Sequence, residues 1–210
     1  MTYAYMLMNS PVGELKLVAN GNRLAAILWE NDKPNRVRLP ETVEADGRPI
    51  LIETRRQLNE YFAGTRDRFD LDLDFQGTDF QKKVWAALLT IPFGETRSYS
   101  DIATQIGNLN AVRAVGAANG RNPISIVAPC HRVIGVSGDL TGFAGGLANK
   151  MFLLSLEAGQ TSLEAASASA VSVPVAAASA AAPERVDRET PVKPARPAPA
   201  RGTQASLFGN

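Results

Sequence analysis

The stretch SYSDIATQIGNLNAVRAVGAANG, residues 98–120, decides what kind of fold the second half of the chain adopts. It opens on Ser and Asp residues, whose short side chains compete for backbone N–H groups and favour helix starts. A first short helix then runs to Gly107, a residue suited to the left-handed conformation that ends helices. After a turn of three or four residues, NLNAVRAVGAANG is again helix-like. Two short helices across a tight turn form a helix-turn-helix pattern. The second helix carries Ala111, Ala114, Gly116, Ala117 and Ala118 with a single long cation, Arg113. Such a surface suits close packing against a neighbouring helix. It equally suits a helix lying flush in a nucleic-acid groove, with the arginine reaching into the base stack. Proteins that act on one base of a duplex must extrude it and fill or hold the gap.

Downstream lies IVAPCHRVIGVSG (126–138), which holds the only cysteine and the only histidine of the chain, Cys130 and His131. A thiol is nucleophilic at neutral pH only where something stabilises its thiolate. Neighbouring side chains point well apart on helix or strand, so adjacency alone gives no direct Cys–His contact. One cysteine excludes an intramolecular disulfide, and the Cys and His count excludes a zinc site within the chain. The glycine-rich loop GVSGDLTGFAGG (135–146) follows, and then a last helix, LANKMFLLSLEAG (147–159). Upstream, TDFQKKVWAALLTI (78–91) has a capping residue at Thr78 or Asp79 and places Phe80, Val84, Leu88 and Ile91 on one face. FGETRSY (93–99) reads as a loop.

The first 30 residues read as three strands, TYAYMLMNS, GELKLVAN and RLAAILWE, separated by turns at Pro11-Val12-Gly13 and Asn20-Gly21-Asn22. A polar loop containing Pro34, Pro40 and Pro49 follows. ILIETRRQLNEYFAG (50–64) has Ile52, Leu58, Tyr61 and Phe62 at helical spacing and stops at Gly64. FDLDLDF (69–75) alternates with period two, as a short strand or an extended linker does. From residue 161 onward the composition collapses to Ala, Ser, Pro and Val, which predicts a disordered tail. The expected fold class is α+β: an antiparallel-sheet N-terminal domain (1–75), a mostly helical domain with the helix-turn-helix (76–160), and the tail (161–210). No run approaches the 18 apolar residues of a membrane span, and the start lacks the features of a signal peptide. The chain therefore reads as a reduced, cytoplasmic protein without a membrane partner. Its net charge of +1 is too weak to announce a nucleic-acid binder by itself, so any DNA contact must come from a local surface.

The segment PCHRVIG, preceded by NGRNPISIV and followed by GDLTGFAGGLANKMFLLSLEAG, resembles the O6-alkylguanine-DNA alkyltransferases, the bacterial ones in particular. The likeness is continuous over about 78–160 and weaker over the first 75 residues, whose order of elements still fits. The resemblance implies direct repair of double-stranded DNA containing alkylated bases. The damaged base is flipped into a pocket, and Cys130 accepts its alkyl group once and irreversibly. His131 would remove the thiol proton through a bridging water, Glu157 would orient the imidazole, and Asn122 would brace the turn at the site. Tyr99 would crowd the 3′ phosphate of the flipped nucleotide, and Arg113 would take that nucleotide's place in the duplex, on a helix surface of Ala111, Ala114 and Gly116. The backbone N–H groups of Val133 and Ala144 would meet the base. Arg132 would tie down loops, and Lys150 would either lie near the base pocket or sit on an exposed helix face.

Two departures stand out. Phe143 occupies a position where many members have a tyrosine, and Ala144 one where some have serine. The cysteines and histidines with which mammalian members bind zinc are absent, so no metal or cofactor is expected. Alternatives are a non-catalytic lesion-binding relative, against which Cys130 speaks, a transcription regulator, and a cysteine hydrolase. Finally, Gln204-Ala205-Ser206-Leu207-Phe208 resembles the peptide that binds the bacterial sliding clamp, with Gln204, Leu207 and Phe208 as its anchors. The chain is otherwise expected to be a monomer.

Overall fold

The first three strands follow one another as two hairpins because turn residues fall where the chain must reverse. A computed structural model describes residues 2–159. The tail expected to be disordered, with Gln204, Leu207 and Phe208, lies outside the described residues. Strands β1 (Tyr3–Ser10), β2 (Gly13–Asn20) and β3 (Arg23–Trp29) pair antiparallel, with Gly21 at φ +60° in the second turn. The register sets Met6 opposite Leu17, Met8 opposite Leu15, and Leu17 opposite Ile27, so one face of the sheet is continuously apolar. The expected polar loop contains a fourth strand, β4 (Thr42–Glu44), which pairs parallel with β1 and gives the order β3-β2-β1-β4. The sheet is thus mixed at one edge. Three residues are too short a run for alternation to reveal a strand.

Helix α1 (Pro49–Phe62) covers the apolar face. It begins at Pro49, which the sequence reading assigned to the loop; proline's fixed φ and missing N–H suit the first helical position. Its buried line is Leu51, Leu58 and Tyr61, whereas Ile52 is 43% exposed. Of the expected face, Leu58 and Tyr61 are buried and Phe62 is half-buried, while Leu51 takes the place of Ile52. Gln57, also buried, exchanges two hydrogen bonds with the backbone of Asp70 and fixes the segment that follows the helix. That segment, FDLDLDF, settles as a single parallel bridge between Leu73 and Leu24.

Helix α2 (Asp79–Leu88) starts at a complete capping box: Thr78 Oγ1 accepts from the Gln81 N–H while the Gln81 side chain accepts from the Thr78 N–H. Ser98 and Asp101 repeat that device at α3 (Tyr99–Gln105). Gly107 at φ +75° turns the chain toward α4 (Val112–Gly120), so the helix-turn-helix forms as read. Trp85 Nε1 donates to the Ala118 carbonyl and ties α2 to α4. Two short strands the sequence did not disclose, β5 (Arg97–Ser98) and β6 (Val133–Ile134), pair parallel and join the start of the helix pair to the cysteine segment. Helix α5 (Leu147–Glu157) closes the fold.

Three apolar clusters result; one gathers Tyr3, Val18, Ala25 and Ala26, and the other two flank the cysteine segment. Of these two, one joins the sheet and α1 to Ile124, Ile126, Val127, Leu153 and Leu156. The other joins α2, α3 and α4 to Cys130 and Val133. Phe75 and Phe143 pack against both, so the cysteine segment lies where the two cores meet.

Candidate active site

The chain reaches Cys130 through two γ-turns. Ser125 O accepts from the Val127 N–H across Ile126, whose φ of +71° is a costly conformation for a β-branched residue. Ala128 O then accepts from the Cys130 N–H across Pro129, at φ −78° and ψ 68°, the inverse form that proline's ring favours. A 3-10 turn, Cys130–Arg132, begins at the thiol. Asn122 braces the strained path from inside: its Nδ2 donates to Ala128 O at 2.7 Å and its Oδ1 accepts from the Ile124 N–H at 3.1 Å. The bracing expected of Asn122 thus has a geometric basis. From outside, the Asn122 carbonyl accepts from Arg36 Nη1 at 2.5 Å, and the sheet edge holds the same segment through Ile27 N–H to Pro123 O.

Glu157, at the end of α5, gathers the site. Its Oε1 accepts from Tyr61 OH at 2.7 Å and lies 2.7 Å from His131 Nε2; both oxygens accept from Arg132, and Oε2 also accepts from the Gly94 N–H. Burial alone would raise the Glu157 pKa. Hydrogen bonds from His131 and Arg132, with the Arg132 charge, together outweigh burial and hold the carboxyl well below the usual range. An ionised carboxylate only accepts, so His131 Nε2 carries the hydrogen and Nδ1 presents its lone pair. Nδ1 is buried and has no hydrogen-bond partner among the described protein groups. Burial keeps the His131 pKa low, so the imidazole is neutral and able to take a proton. Arg132 Nη1 also donates to Ile91 O, the loop-tying role expected of it.

Burial pushes the Cys130 thiol pKa up, opposed by the Asn122 side chain and by the charges of Arg36 and Lys150. At rest Cys130 is therefore a neutral thiol and His131 a neutral imidazole. Lys150 is fully buried, which overturns its reading as an exposed helix residue. Its ammonium donates to Val133 O at 2.6 Å and Thr141 O at 3.2 Å, clasping the cysteine segment to the glycine-rich loop. Desolvation lowers its pKa to about 8. The Val133 N–H, expected to meet a base, instead donates to Cys130 O, because the residue closing a 3-10 turn bonds three positions back. Both backbone groups of Val133 are thus already paired.

The remaining expected residues are exposed or half-buried. Arg113 and Ala114 are exposed on α4, opposite the buried line of Val115, Ala118 and Asn119; Ala111 and Gly116 are half-buried. The Tyr99 ring lies against Gly116, and its hydroxyl shares a 2.9 Å hydrogen bond with Thr141 Oγ1. Phe143 and Ala144 are half-buried on the glycine-rich loop. Sequence reading missed Tyr61, Arg36 and Gly94. Tyr61 looked like one more apolar residue of α1, and Arg36 lay in an unpatterned loop, so neither carried a local signal. Among the described residues, no group of three His, Cys, Asp or Glu side chains is placed to hold a metal, and no helix is long and apolar enough to cross a membrane.

This architecture has known counterparts. Residues 2–75 match the family model described as 6-O-methylguanine DNA methyltransferase, ribonuclease-like domain, and residues 79–159 match the 6-O-methylguanine DNA methyltransferase, DNA binding domain. The methylated-DNA–protein-cysteine methyltransferase of Mycobacterium tuberculosis is 50% identical over 155 residues, covering 73% of this chain and 91% of the relative. That of Methanosarcina barkeri is 48% identical over 153 residues, covering 73% and 96%. The crystal structure of Mycobacterium tuberculosis OGT in complex with DNA superposes with a TM-score of 0.69 at 47% identity, over 76% of this chain and 94% of that one. With two adjoining family matches spanning the described fold, and relatives half identical over nearly their whole length, this chain belongs to the 6-O-methylguanine DNA methyltransferase family.

Proposed function

We propose that this protein repairs O6-alkylguanine in double-stranded DNA by moving the alkyl group onto Cys130 Sγ, once per chain. The observation that carries this reading is the buried Cys130–His131–Glu157 arrangement. Glu157 fixes the imidazole by Nε2 and leaves Nδ1 to accept the thiol proton, by way of a water, in the manner of a nucleophile, base and orienter. The thiolate attacks the alkyl carbon in line. The S–C bond forms as the C–O bond breaks, and the guanine leaves with the electron pair and recovers a proton. The ionised Glu157 stabilises the imidazolium, and Lys150 stabilises the thiolate. A thioether offers water no comparable leaving group, so the cysteine is not regenerated.

DNA engagement runs through α4. Its exposed small residues support close approach to a groove, and Arg113 fills the gap left by the flipped nucleotide while Tyr99 crowds its 3′ phosphate. The Ala144 N–H meets the base. O4-alkylthymine is a second substrate of the same chemistry. The protein works as a monomer in the compartment that holds the DNA, the bacterial cytoplasm. Incubation with oligonucleotides carrying labelled O6-methylguanine or O4-methylthymine tests the reading. Label should appear on the wild type and vanish in Cys130→Ala, which still binds DNA; label persisting in that variant would overturn it.

Gln204, Leu207 and Phe208 support a second partner, the bacterial sliding clamp. An apolar Leu-Phe pair enters a pocket while the glutamine bonds at its rim, and the tether raises the local concentration of the repair protein near new DNA. Calorimetry of the last ten residues against the clamp should give binding of about −8 kcal/mol, a micromolar Kd. Leu207→Ala/Phe208→Ala should remove that binding without changing alkyl transfer on short oligonucleotides. Absence of binding at high clamp concentration would refute this partner.

A further inference from the structure

The wall of the site that faces His131 is backed by the N-terminal sheet. Trp29, the last residue of β3, is 6% exposed, and the loop from Phe143 to Gly146 lies directly on it. The Phe143 ring meets the indole edge-on, with centroids 5.4 Å apart and planes at 67°. The same ring also approaches His131, with centroids 6.5 Å apart and planes at 79°. The Gly145 backbone sits flush against the indole: a Cβ there would fall 2.6 Å from Cδ2 and Cε2. Asn149 Nδ2 tethers the loop by donating to Gly145 O at 2.9 Å and to Val12 O at 3.0 Å. Behind this contact lies a cavity of about 70 Å³, lined by Trp29, Val12, Glu30, Ala144, Gly145 and Asn149. Trp29 Nε1 is buried without a hydrogen-bond partner among the described groups, so the indole holds the loop by shape.

We infer that Trp29 is a positioning residue that sets the size of the alkyl group the site accepts. The inference rests on the reading of Cys130 as alkyl acceptor. With the indole in place, Phe143–Gly146 cannot retreat toward the sheet, and the space over the thiol stays narrow. Removing the indole opens a void continuous with the existing cavity, and the loop can relax into it. A methyl group then loses its alignment with Sγ, where a displacement near 1 Å costs on the order of a hundredfold in rate. A bulky group gains the room and loses less. Gly145→Ala acts in the opposite sense. Its Cβ overlaps the indole and drives the loop off Trp29, carrying with it Phe143, whose ring also neighbours His131.

The test is single-turnover transfer from one oligonucleotide carrying either O6-methylguanine or O6-benzylguanine, with wild type, Trp29→Ala, Trp29→Phe and Gly145→Ala. Relative to wild type, the benzyl-to-methyl rate ratio should rise about tenfold in Trp29→Ala and fall by a similar factor in Gly145→Ala, the scale on which pocket shape discriminates apolar groups. Trp29→Phe should return most of the wild-type ratio. Equal slowing of both substrates, with the ratio unchanged, would reduce Trp29 to a core residue and overturn the assignment. Where Trp29→Ala fails to give a cooperative thermal transition, the ratios of the other two variants decide in the same way. If wild type itself labels Cys130 with neither substrate, the reading of Cys130 falls first and this inference falls with it.

Discussion

Tyr61, Gly94, His131 and Arg132 all direct hydrogen bonds at one carboxylate, Glu157, so that single residue couples stability to chemistry. Glu157→Gln leaves the buried Arg132 guanidinium without its counter-charge, and breaking a buried pair in this way costs about 3–5 kcal/mol. Urea denaturation should show that loss, and transfer should slow because the imidazolium is no longer stabilised. The pH dependence follows in sign. His131 and Glu157 are both held below their ordinary values of 6.5 and 4.5, so the unfolded chain takes up protons at higher pH than the fold does. Their stabilisation is fully present above those values and is lost as pH falls toward the folded ones. The urea midpoint should therefore decline below pH 6.5 and more steeply below 4.5, with a shallower acid slope in Glu157→Gln. Lys150, lowered to about 8 from 10.5, acts in the same sense at alkaline pH: the unfolded chain keeps its proton longer, so the Lys150 contribution to stability rises as pH goes up between those values. At Phe143 a hydroxyl would supply a donor toward a purine ring. Phe143→Tyr should speed repair of O6-methylguanine by about fivefold, equivalent to roughly 1 kcal/mol, and that of O4-methylthymine less. Equal gains on both lesions would contradict the assigned pose.

At the scale of elements, what the sequence disclosed was local. Capping boxes at Thr78–Gln81 and Ser98–Asp101 span four residues each, so the starts of α2 and α3 could be read directly. The pairing of β1, β2 and β3 followed from hairpin turns. β4, β5 and β6 escaped because strands of two or three residues are defined by partners far along the chain. The site divides in the same way. Cys130, His131 and the bracing Asn122 cluster within ten residues of sequence and carry a recognisable motif. Tyr61 to Glu157 spans 96 positions and Arg36 to Asn122 spans 86, and no periodicity encodes such contacts. The misassigned Val133 N–H belongs here too, since its bond depends on the 3-10 turn. Helix α4 supplies the element's own test. Arg113→Ala should slow repair within a duplex on the order of tenfold or more, because extruding a base from its stack costs a few kcal/mol. Reaction with a free alkylated base should hardly change. Equal slowing of both would assign Arg113 to folding or to the chemistry.

Across the whole molecule, the two matched halves are not independent bodies around the site. Ile124, Ile126, Val127, Leu153 and Leu156 share a core with the sheet, Ile27 bonds to Pro123, and Asn149 bonds to Val12. A fragment of residues 76–160 would expose that apolar surface and lose the Arg36 and Tyr61 contacts. It should show no cooperative unfolding and no transfer, as judged by calorimetry and by labelling. A stable, active fragment would show that the sheet only shelters the site. Single, irreversible transfer to Cys130 can be followed by intact-mass spectrometry of the protein incubated with excess O6-methylguanine duplex. Each chain should gain the mass of one methyl group, mapped to Cys130, after which repair stops. Repaired DNA accumulating beyond one equivalent of protein, or methyl groups on any other residue, would contradict it.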